Sequence, residues 1–189
     1  LRRWIPAALR RQCAGACAVA YVTSASLQIR YPAPAATHVT AYSSIDLPDE
    51  AFAAGPRKVR TVSAVCQIVF VGTLEQLYKA PDVLIDAVAI ANTKGANIRL
   101  TIIGEGKHGP ELKQQAASRG LSNHVRFTGH LAPGGAIRKE LDQSDLFVLP
   151  SRTEGLPRAM IEAMARGLPC IGSNVGGIPE LLAPSECVP

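Results

Sequence analysis

From residue 66 onward, short apolar runs alternate with segments of helical periodicity. Five runs rich in β-branched residues, the first of them "CQIVFVG", predict buried strands at residues 66–72, 98–104, 125–129, 145–151 and 169–173. Apolar residues spaced three or four apart predict helices at residues 81–95, 109–120, 135–144 and 157–166, with a helical turn at 178–182. Strands and helices that alternate in this way indicate an α/β fold with a doubly wound parallel sheet.

The first 60 residues follow a different pattern. Residues 18–32 predict a strand, a polar junction and a short helix, and residues 38–47 predict a second short strand with a turn. Segment 48–58 is rich in proline, glycine and charge, which is typical of a linker. We therefore assign residues 1–60 to the end of one domain and its linker. Residues 61–189 are assigned to a second domain that we expect to be truncated at its C-terminal end.

Small residues follow every strand of the predicted sheet. They are Gly72, Gly104, Gly129, Ser151 and the pair Gly172–Ser173. In open parallel sheets, ligands bind outside the carboxyl ends of the strands, and glycine there lets a ligand approach the backbone. Tight turns alone would explain one or two of these glycines well, but they explain the full set less well.

Composition and charge narrow the candidate ligands. The net charge of +5, from 20 basic and 15 acidic residues, fits anionic ligands such as phosphates, although ordinary soluble proteins also reach it. One Trp, four Tyr and four Phe leave little material for a base-stacking surface, so we expect no nucleic-acid partner. The five cysteines are scattered and complete no zinc pattern, even though Cys13 and Cys17 lie four apart on a predicted helix. We expect free thiols in a reducing cytoplasm.

The N-terminal segment is basic and only briefly apolar. Its longest apolar stretch, residues 13–22, is too short to span a bilayer. The start "LRRWIPAALRRQ" fits the solvated face of an ordinary helix, which we favour, or a contact with a membrane surface.

The stretch "SRTEGLPRAMIEAMARGLP" (151–169) holds the most distinctive chemistry. We expect Pro157 at the first position of a helix, where its missing N–H has no cost. The neighbouring N–H groups of Gly155, Leu156 and Arg158 would then lie at the positive end of the helix dipole. That position favours a phosphate or an oxyanion.

Two carboxylates flank this helix N-terminus. Glu162, on the second turn, suits a vicinal diol, and Glu154 would face whatever is attached beyond the phosphates. Alternatively, the helix dipole alone favours acidic residues here, and Glu162 could be a surface charge. The apolar neighbours of Glu162 argue against a surface position.

Lys79 approaches the same edge of the sheet from the loop that begins at Gly72. A lysine there can contact a phosphate, although an exposed loop lysine is an equally good interpretation. The turn "GEGKHG" (104–109) lacks the spacing of a dinucleotide-binding or Walker loop, so we expect it only to line a pocket. The histidines are not grouped like metal ligands.

The segment "SDLFVLPSRTEGLPRAMIEAMARGLPCIGSNVGGIPELL" resembles the donor-binding half of the group 1 (family 4) glycosyltransferases, which have the GT-B fold. Glu154 and Glu162 form that family's E-x7-E pattern. The resemblance extends back through "VRFTGHL", "TIIGEGKHGPELK" and "VGTLEQLYKAPDVLIDAVA", and it covers about residues 66–185. Residues 1–60 resemble the end of the acceptor-side domain and its connection.

The resemblance implies transfer of a sugar from a nucleotide-diphosphate donor to an acceptor, with retention of configuration, between two Rossmann-like domains. Glu162 would bind the ribose, while Glu154 near the reacting centre and Lys79 at the diphosphate would be the catalytic residues. Further implied donor contacts are Gly72, Thr73, Gly104, Arg152, Gly155, Leu156 and Arg158. No cofactor or metal is expected, and the sequence has no D-x-D carboxylate pair.

Three positions depart from the family pattern. Thr73 stands where relatives often have arginine, and Ala80 follows Lys79 where glycine is common. Pro157 also removes one N–H. We expect weaker diphosphate binding, or compensation by Arg152 or Arg158.

The sequence therefore predicts the donor domain of a retaining glycosyltransferase of cell-surface or extracellular polysaccharide synthesis. The acceptor would be a glycan, a lipid-linked molecule or a small molecule. The expected location is the cytoplasm, with contact at the inner face of the membrane as a further option. Two alternatives stay open, namely a nucleotide-sugar-binding domain without catalysis and a nucleotide-sugar epimerase of the same fold.

Overall fold

The computed structural model describes residues 4–43, 45–57, 65–182 and 187–188. The helices are α1 (Trp4–Ala14), α2 (Ser26–Arg30), α3 (Pro81–Thr93), α4 (Gly109–Ser118), α5 (Gly135–Gln143), α6 (Arg158–Ala165) and α7 (Ile178–Leu181). The strands are β1 (Ala18–Tyr21), β2 (His38–Ala41), β3 (Cys66–Val71), β4 (Ile98–Ile103), β5 (Val125–Gly129), β6 (Leu146–Leu149), β7 (Cys170–Ser173) and β8 (Cys187–Val188). Two 3-10 turns lie at Asp49–Ala51 and Leu77–Lys79.

Six parallel strands form the main sheet in the order β5-β4-β3-β6-β7-β8. The chain moves outward from β3 to β5 and then returns to the other side of β3 through β6. This reversal leaves a crevice at the carboxyl ends of β3 and β6, where open α/β sheets bind their ligands. The predicted doubly wound parallel sheet is confirmed, and β8 is a strand that the sequence pattern did not predict.

The core lies on both faces of this sheet because its strands are apolar on both sides. Phe70 of β3, Ile102 of β4 and Phe147 of β6 are fully buried. Helices cover them with side chains such as Ile85 of α3 and Met160 of α6. Burial of each such side chain contributes about 1.5–3 kcal/mol to the stability of the fold. The sheet is therefore a rigid support for the loops at its edge.

β1 and β2 form a separate two-stranded parallel sheet in the N-terminal segment. The two short strands and the helix α2 agree with the sequence pattern. The expectation that Cys13 and Cys17 share one helix is wrong, because α1 ends at Ala14 and Cys17 directly precedes β1. Gly15 follows the last helical residue, and glycine is the common residue at such a helix end.

The predicted linker is attached to the main domain rather than loose. Arg166, just after α6, donates hydrogen bonds to the carboxylate of Asp142 and to the carbonyl oxygens of residues 50–52. The N–H of Ala53 also donates to the carbonyl oxygen of Ala165 at 2.8 Å. The predicted domain boundary at residues 60 and 61 lies outside the described residues and stays a prediction.

No helix in the described ranges has the length and apolar character needed to cross a membrane.

Candidate active site

A largely shielded ion pair between two half-buried residues lies at the point where the strand order reverses. The Nζ atom of Lys79, after β3, is 2.8 Å from Oε1 of Glu154, after β6. The two side chains are only 14% and 8% exposed. The hydroxyl of Ser151 donates to the same Oε1 atom at 2.8 Å, so two donors fix this carboxylate.

The stem of Lys79 lies directly over Gly72. A Cβ atom at Gly72 would be 2.4 Å from Cδ of Lys79, so a side chain at residue 72 would displace the lysine from its present path to Glu154. Gly72 therefore acts on the site through the path of Lys79.

Arg152 holds the turn that presents Lys79. Its guanidinium forms a bidentate pair with Asp82 at 3.0 and 2.6 Å and donates to the carbonyl oxygen of Leu77. Its backbone N–H donates to the carbonyl oxygen of Tyr78 at 2.7 Å. Burial acts to raise the pKa of Asp82, but the hydrogen bonds and charge of Arg152 outweigh it and hold this pKa below its usual value. As placed, Arg152 fixes the lysine turn, and a contact with donor phosphates would require it to leave Asp82.

The residue after Lys79 adopts a conformation that is costly for it. Ala80 has φ 55° and ψ 44°, the left-handed region, and it is fully buried. Glycine is the residue that adopts this conformation without strain, which gives a physical reason for the glycine that relatives commonly have there. Ala80 adopts the left-handed conformation here, and Pro81 then begins α3.

The loop that carries Glu154 rests on two glycines before α7. Gly176 has φ 56°, and a Cβ atom there would be 2.1 Å from the carbonyl oxygen of Glu154. The N–H of Gly177 donates to the carbonyl oxygen of Gly155 at 2.7 Å. The backbone of Gly176 and Gly177 thus lies directly against that of Glu154 and Gly155 and fixes the position of this loop.

The start of α6 differs by one residue from the prediction. Pro157 has an extended ψ of 105° and is the N-cap, and the helix begins at Arg158. The expectation that Pro157 is the first helical residue is therefore wrong. In the described part of the chain, the N–H groups of Gly155 and Leu156 donate no hydrogen bond. They can therefore donate to a bound anion or to a hydroxyl oxygen of a ligand.

Glu162 lies on the second turn of α6 as a half-buried carboxylate. Desolvation by burial raises its pKa, while the positive charges of Arg158 and Arg138 act in the opposite direction. Among the residues that the structure describes, nothing donates a hydrogen bond or forms an ion pair with this carboxylate. A half-buried acceptor without a donor is well suited to bind ligand hydroxyls.

A groove of about 890 Å³ runs along the carboxyl ends of β3, β4 and β5. Gly72, Thr73, Gly104, Lys107 and His130 are among its lining residues. The expectation that the turn after β4 lines a pocket is confirmed. Gly104 has φ 141°, and a Cβ atom there would lie 1.9 Å from the carbonyl oxygen of Gly72, so only glycine fits between these loops.

The predicted residues thus fall into three groups. Lys79 and Glu154 meet, with Gly72 beneath them. Thr73 and Gly104 line the groove, and Gly155, Leu156, Arg158 and Glu162 form the start of α6. Arg152 is paired with Asp82, as described above. Within the described ranges, no three metal-ligating side chains come together.

Sequence reasoning missed two polar side chains of this region. Ser151 was noted only as a strand end, although its position three residues before Glu154 could have indicated a contact. Arg138, on α5, acts on Glu162 by its charge, and no sequence signal distinguished it from other surface arginines.

Comparison with known proteins decides the family. The family model described as "Glycosyl transferases group 1" matches residues 66–187, which is more than half of the chain. The chain belongs to the group 1 glycosyl transferases. The match includes both Lys79 and the two glutamates.

Similar proteins carry related names. The chain is 40% identical over 110 residues to the amylovoran biosynthesis glycosyltransferase AmsK of Erwinia amylovora, covering 55% of this chain and 27% of AmsK. It is 32% identical over 133 residues to the putative colanic acid biosynthesis glycosyltransferase WcaL of Escherichia coli, covering 67% of this chain and 32% of WcaL.

Solved structures share the fold of this group 1 glycosyl transferase chain. HepE of Anabaena, determined with UDP and glucose, has a TM-score of 0.70 and 24% identity, over 93% of this chain and 49% of that chain. The galactosyltransferase WaaB has a TM-score of 0.68 and 20% identity, over 92% and 46%. The likeness agrees with the predicted GT-B fold. The chain spans about half the length or less of these relatives.

Proposed function

We propose that this chain is the donor half of a retaining glycosyltransferase that takes a nucleoside diphosphate sugar. The observation that carries the proposal is the contrast between its two glutamates. The carboxylate of Glu154 is held by Lys79 and Ser151, whereas the half-buried carboxylate of Glu162 has no donor among the described residues. Such a pair suits a donor whose ribose hydroxyls bind Glu162 and whose transferred sugar lies near Glu154.

In the proposed mechanism, Lys79 stabilises the leaving group. Negative charge develops on the nucleoside diphosphate as its bond to the sugar breaks, and a fixed ammonium group there lowers the barrier. Without donor, this ammonium group is held by Glu154 at 2.8 Å. Phosphate oxygens would compete for it, and the Ser151 hydroxyl would keep Glu154 in place when Lys79 turns toward them.

The start of α6 supplies the remaining positive potential. The free N–H groups of Gly155 and Leu156 point to sugar hydroxyls or phosphate as ligands, and Arg158 and Arg138 add charge near Glu162. In this proposal these groups compensate for the absence of arginine at Thr73. Arg152 contributes indirectly, through the turn that presents Lys79.

The names of the relatives favour polysaccharide synthesis. AmsK and WcaL are named for amylovoran and colanic acid biosynthesis, and HepE was solved with UDP and glucose. We therefore propose a uridine diphosphate hexose as the first donor to test and a glycan or lipid-linked molecule as acceptor. The proposed location is the cytoplasm, and contact with the inner face of the membrane is a second option.

The test is sugar transfer by the complete protein, measured as nucleoside diphosphate release with and without acceptor. Lys79→Met should lower kcat by roughly 100- to 1,000-fold, the usual effect of removing one group that stabilises transition-state charge. Lys94→Met is the matched control, because Lys94 is an exposed lysine beyond the end of α3. It should retain the activity of the unchanged protein.

Two results would contradict the proposal. Donor binding without transfer or hydrolysis would indicate a binding domain. Interconversion of two nucleotide sugars in the absence of acceptor would indicate an epimerase.

A further inference from the structure

A carboxylate outside the proposed donor site connects the N-terminal segment to the main domain. Glu180, on α7, accepts hydrogen bonds from the N–H groups of Ser24, Ala25 and Ser26 at 2.6, 3.1 and 2.7 Å. Its Oε1 atom also accepts from the hydroxyl of Ser26 at 2.6 Å. Ser24 and Ala25 lie between β1 and α2, and Ser26 is the first residue of α2. We call residues 22–26 the β1–α2 turn.

The carboxylate satisfies groups that would otherwise lack a partner. The first N–H groups of a helix have no acceptor within the helix, and the N-cap residue of α2, Ala25, offers no side-chain acceptor. Thr23 accepts from the N–H of Leu27 at 3.0 Å, and Glu180 accepts from the N–H groups before it. Burial acts to raise the pKa of Glu180, but the hydrogen bonds from Ser26, Ser24 and Ala25 outweigh it and lower this pKa. Glu180 is therefore a charged acceptor at neutral pH.

The β1–α2 turn also packs against the loop of Glu154. A Cβ atom at Gly155 would lie 3.3 Å from Cγ2 of Val22, and one at Gly177 would lie 2.9 Å from Cγ2 of Thr23. The N–H of Gly177 in turn donates to the carbonyl oxygen of Gly155. The turn, the Gly176–Gly177 pair and the loop of Glu154 thus meet at one place, and Glu180 supplies the charged contact there.

We propose that Glu180 is a positioning residue that fixes the β1–α2 turn against the loop of Glu154 and so sets where the acceptor meets the donor sugar. For its meaning in catalysis the inference rests on the proposed function and on the predicted assignment of residues 1–60 to the acceptor side. Glu180 accepts hydrogen bonds from the N-terminal segment, whereas Lys79 and the lining of the groove lie in the loops around the main sheet. Loss of the Glu180 contact should therefore change use of the acceptor and leave nucleotide binding intact.

The experiment replaces Glu180 by glutamine in the complete protein. The amide keeps the size of the side chain but removes its charge and turns a donor group toward backbone N–H groups. Glu111→Gln is the matched control, because Glu111 also lies in the first turn of a helix but its side chain is 69% exposed and pairs with its neighbour His108. Amide hydrogen exchange, UDP affinity and the kinetic constants for the acceptor are measured on all three proteins.

The expected result has three parts. Exchange at residues 24–26 should accelerate about tenfold or more in Glu180→Gln, as expected for the loss of hydrogen bonds to a charged group. The Kd for UDP should stay within about twofold, and kcat/KM for the acceptor should fall about tenfold or more, since the same free energy is lost from the contact. Glu111→Gln should change none of these values.

The following results would contradict the inference or the proposed function on which it rests. Unchanged exchange at residues 24–26 would show that Glu180 does not hold the turn, whether or not the protein transfers sugar. Accelerated exchange with unchanged acceptor kinetics, or with an equal loss of UDP affinity, would contradict a positioning role. Absence of transfer by the unchanged protein would instead refute the proposed function, and with it the catalytic meaning of the contact.

Discussion

Replacing Ala80 by glycine isolates the strain in the turn that presents Lys79. Ala80 is fully buried and has φ 55°. The left-handed conformation costs an L-residue roughly 1–2 kcal/mol, and glycine avoids this cost. Against the gain stand the lost burial of one methyl group, about 0.8 kcal/mol, and the greater flexibility of glycine, about 0.5–1 kcal/mol. The terms nearly cancel, so Ala80→Gly should change the free energy of unfolding by less than about 1 kcal/mol.

Ala163→Gly is the matched control for this prediction. Ala163 is also fully buried, but it lies inside α6 with ordinary helical geometry. Its replacement loses the same methyl group and incurs the helical penalty of glycine, with no strain relieved. The expected loss is about 1.5–2 kcal/mol.

The assay is urea unfolding of both variants beside the unchanged chain, with Tm as a second readout. The two variants should differ by about 1–2 kcal/mol, and each kcal/mol corresponds to roughly 2–4 °C for a chain of this size. UDP affinity of Ala80→Gly should be unchanged, because the backbone path to Lys79 is the one that glycine prefers. An Ala80→Gly variant that is as unstable as Ala163→Gly would refute the assignment of strain.

Two further predictions concern the loops of the site. Gly104→Ala should destabilise the chain by roughly 2 kcal/mol or more, because its Cβ would meet the carbonyl oxygen of Gly72 at 1.9 Å. The control Gly120→Ala, at φ 75° with no atom within 4 Å of the added Cβ, should destabilise it by about 1 kcal/mol. Equal losses of the free energy of unfolding in urea would contradict this prediction. The pKa of Asp82 is lowered in the folded chain, so its pair with Arg152 stabilises the fold at neutral pH. This stabilisation is lost below about pH 4, as the pH falls through the lowered pKa. The Tm of the unchanged chain should thus fall more steeply below pH 4 than that of Asp82→Asn, and parallel curves would refute the role of the pair.

Most helices and strands of the fold could be predicted from local sequence patterns. Strands such as β3 and β4 are short β-branched runs that end at glycine, and the helices between them have clear periodicity, so each element could be predicted from its own residues. The start of α6 could not be fixed to one residue, because the φ of proline fits both the N-cap and the first helical position.

Contacts between distant residues were less accessible. The shared edge of the sheet placed Lys79 and Glu154 on the same side, but their direct contact joins residues 75 positions apart. The pairing of Arg152 with Asp82 depends on how two loops pack, so charge alone suggested phosphate binding instead. Glu180 gave no signal, because its partners are backbone N–H groups more than 150 residues away.

Calorimetric titration with UDP, GDP and ADP tests the central claim most directly, using the unchanged chain, Glu162→Gln and the control Glu111→Gln. We expect one nucleotide to bind the unchanged chain and the control equally well. Glu162→Gln should bind it roughly 10- to 100-fold more weakly, since hydrogen bonds to a charged carboxylate contribute about 1.5–3 kcal/mol. The Glu162→Gln substitution should also raise the Tm of the chain without nucleotide at neutral pH, because burial disfavours the charged form of Glu162. Folded protein that binds no nucleotide, or equal affinity in Glu162→Gln, would contradict a donor site with Glu162 at the ribose.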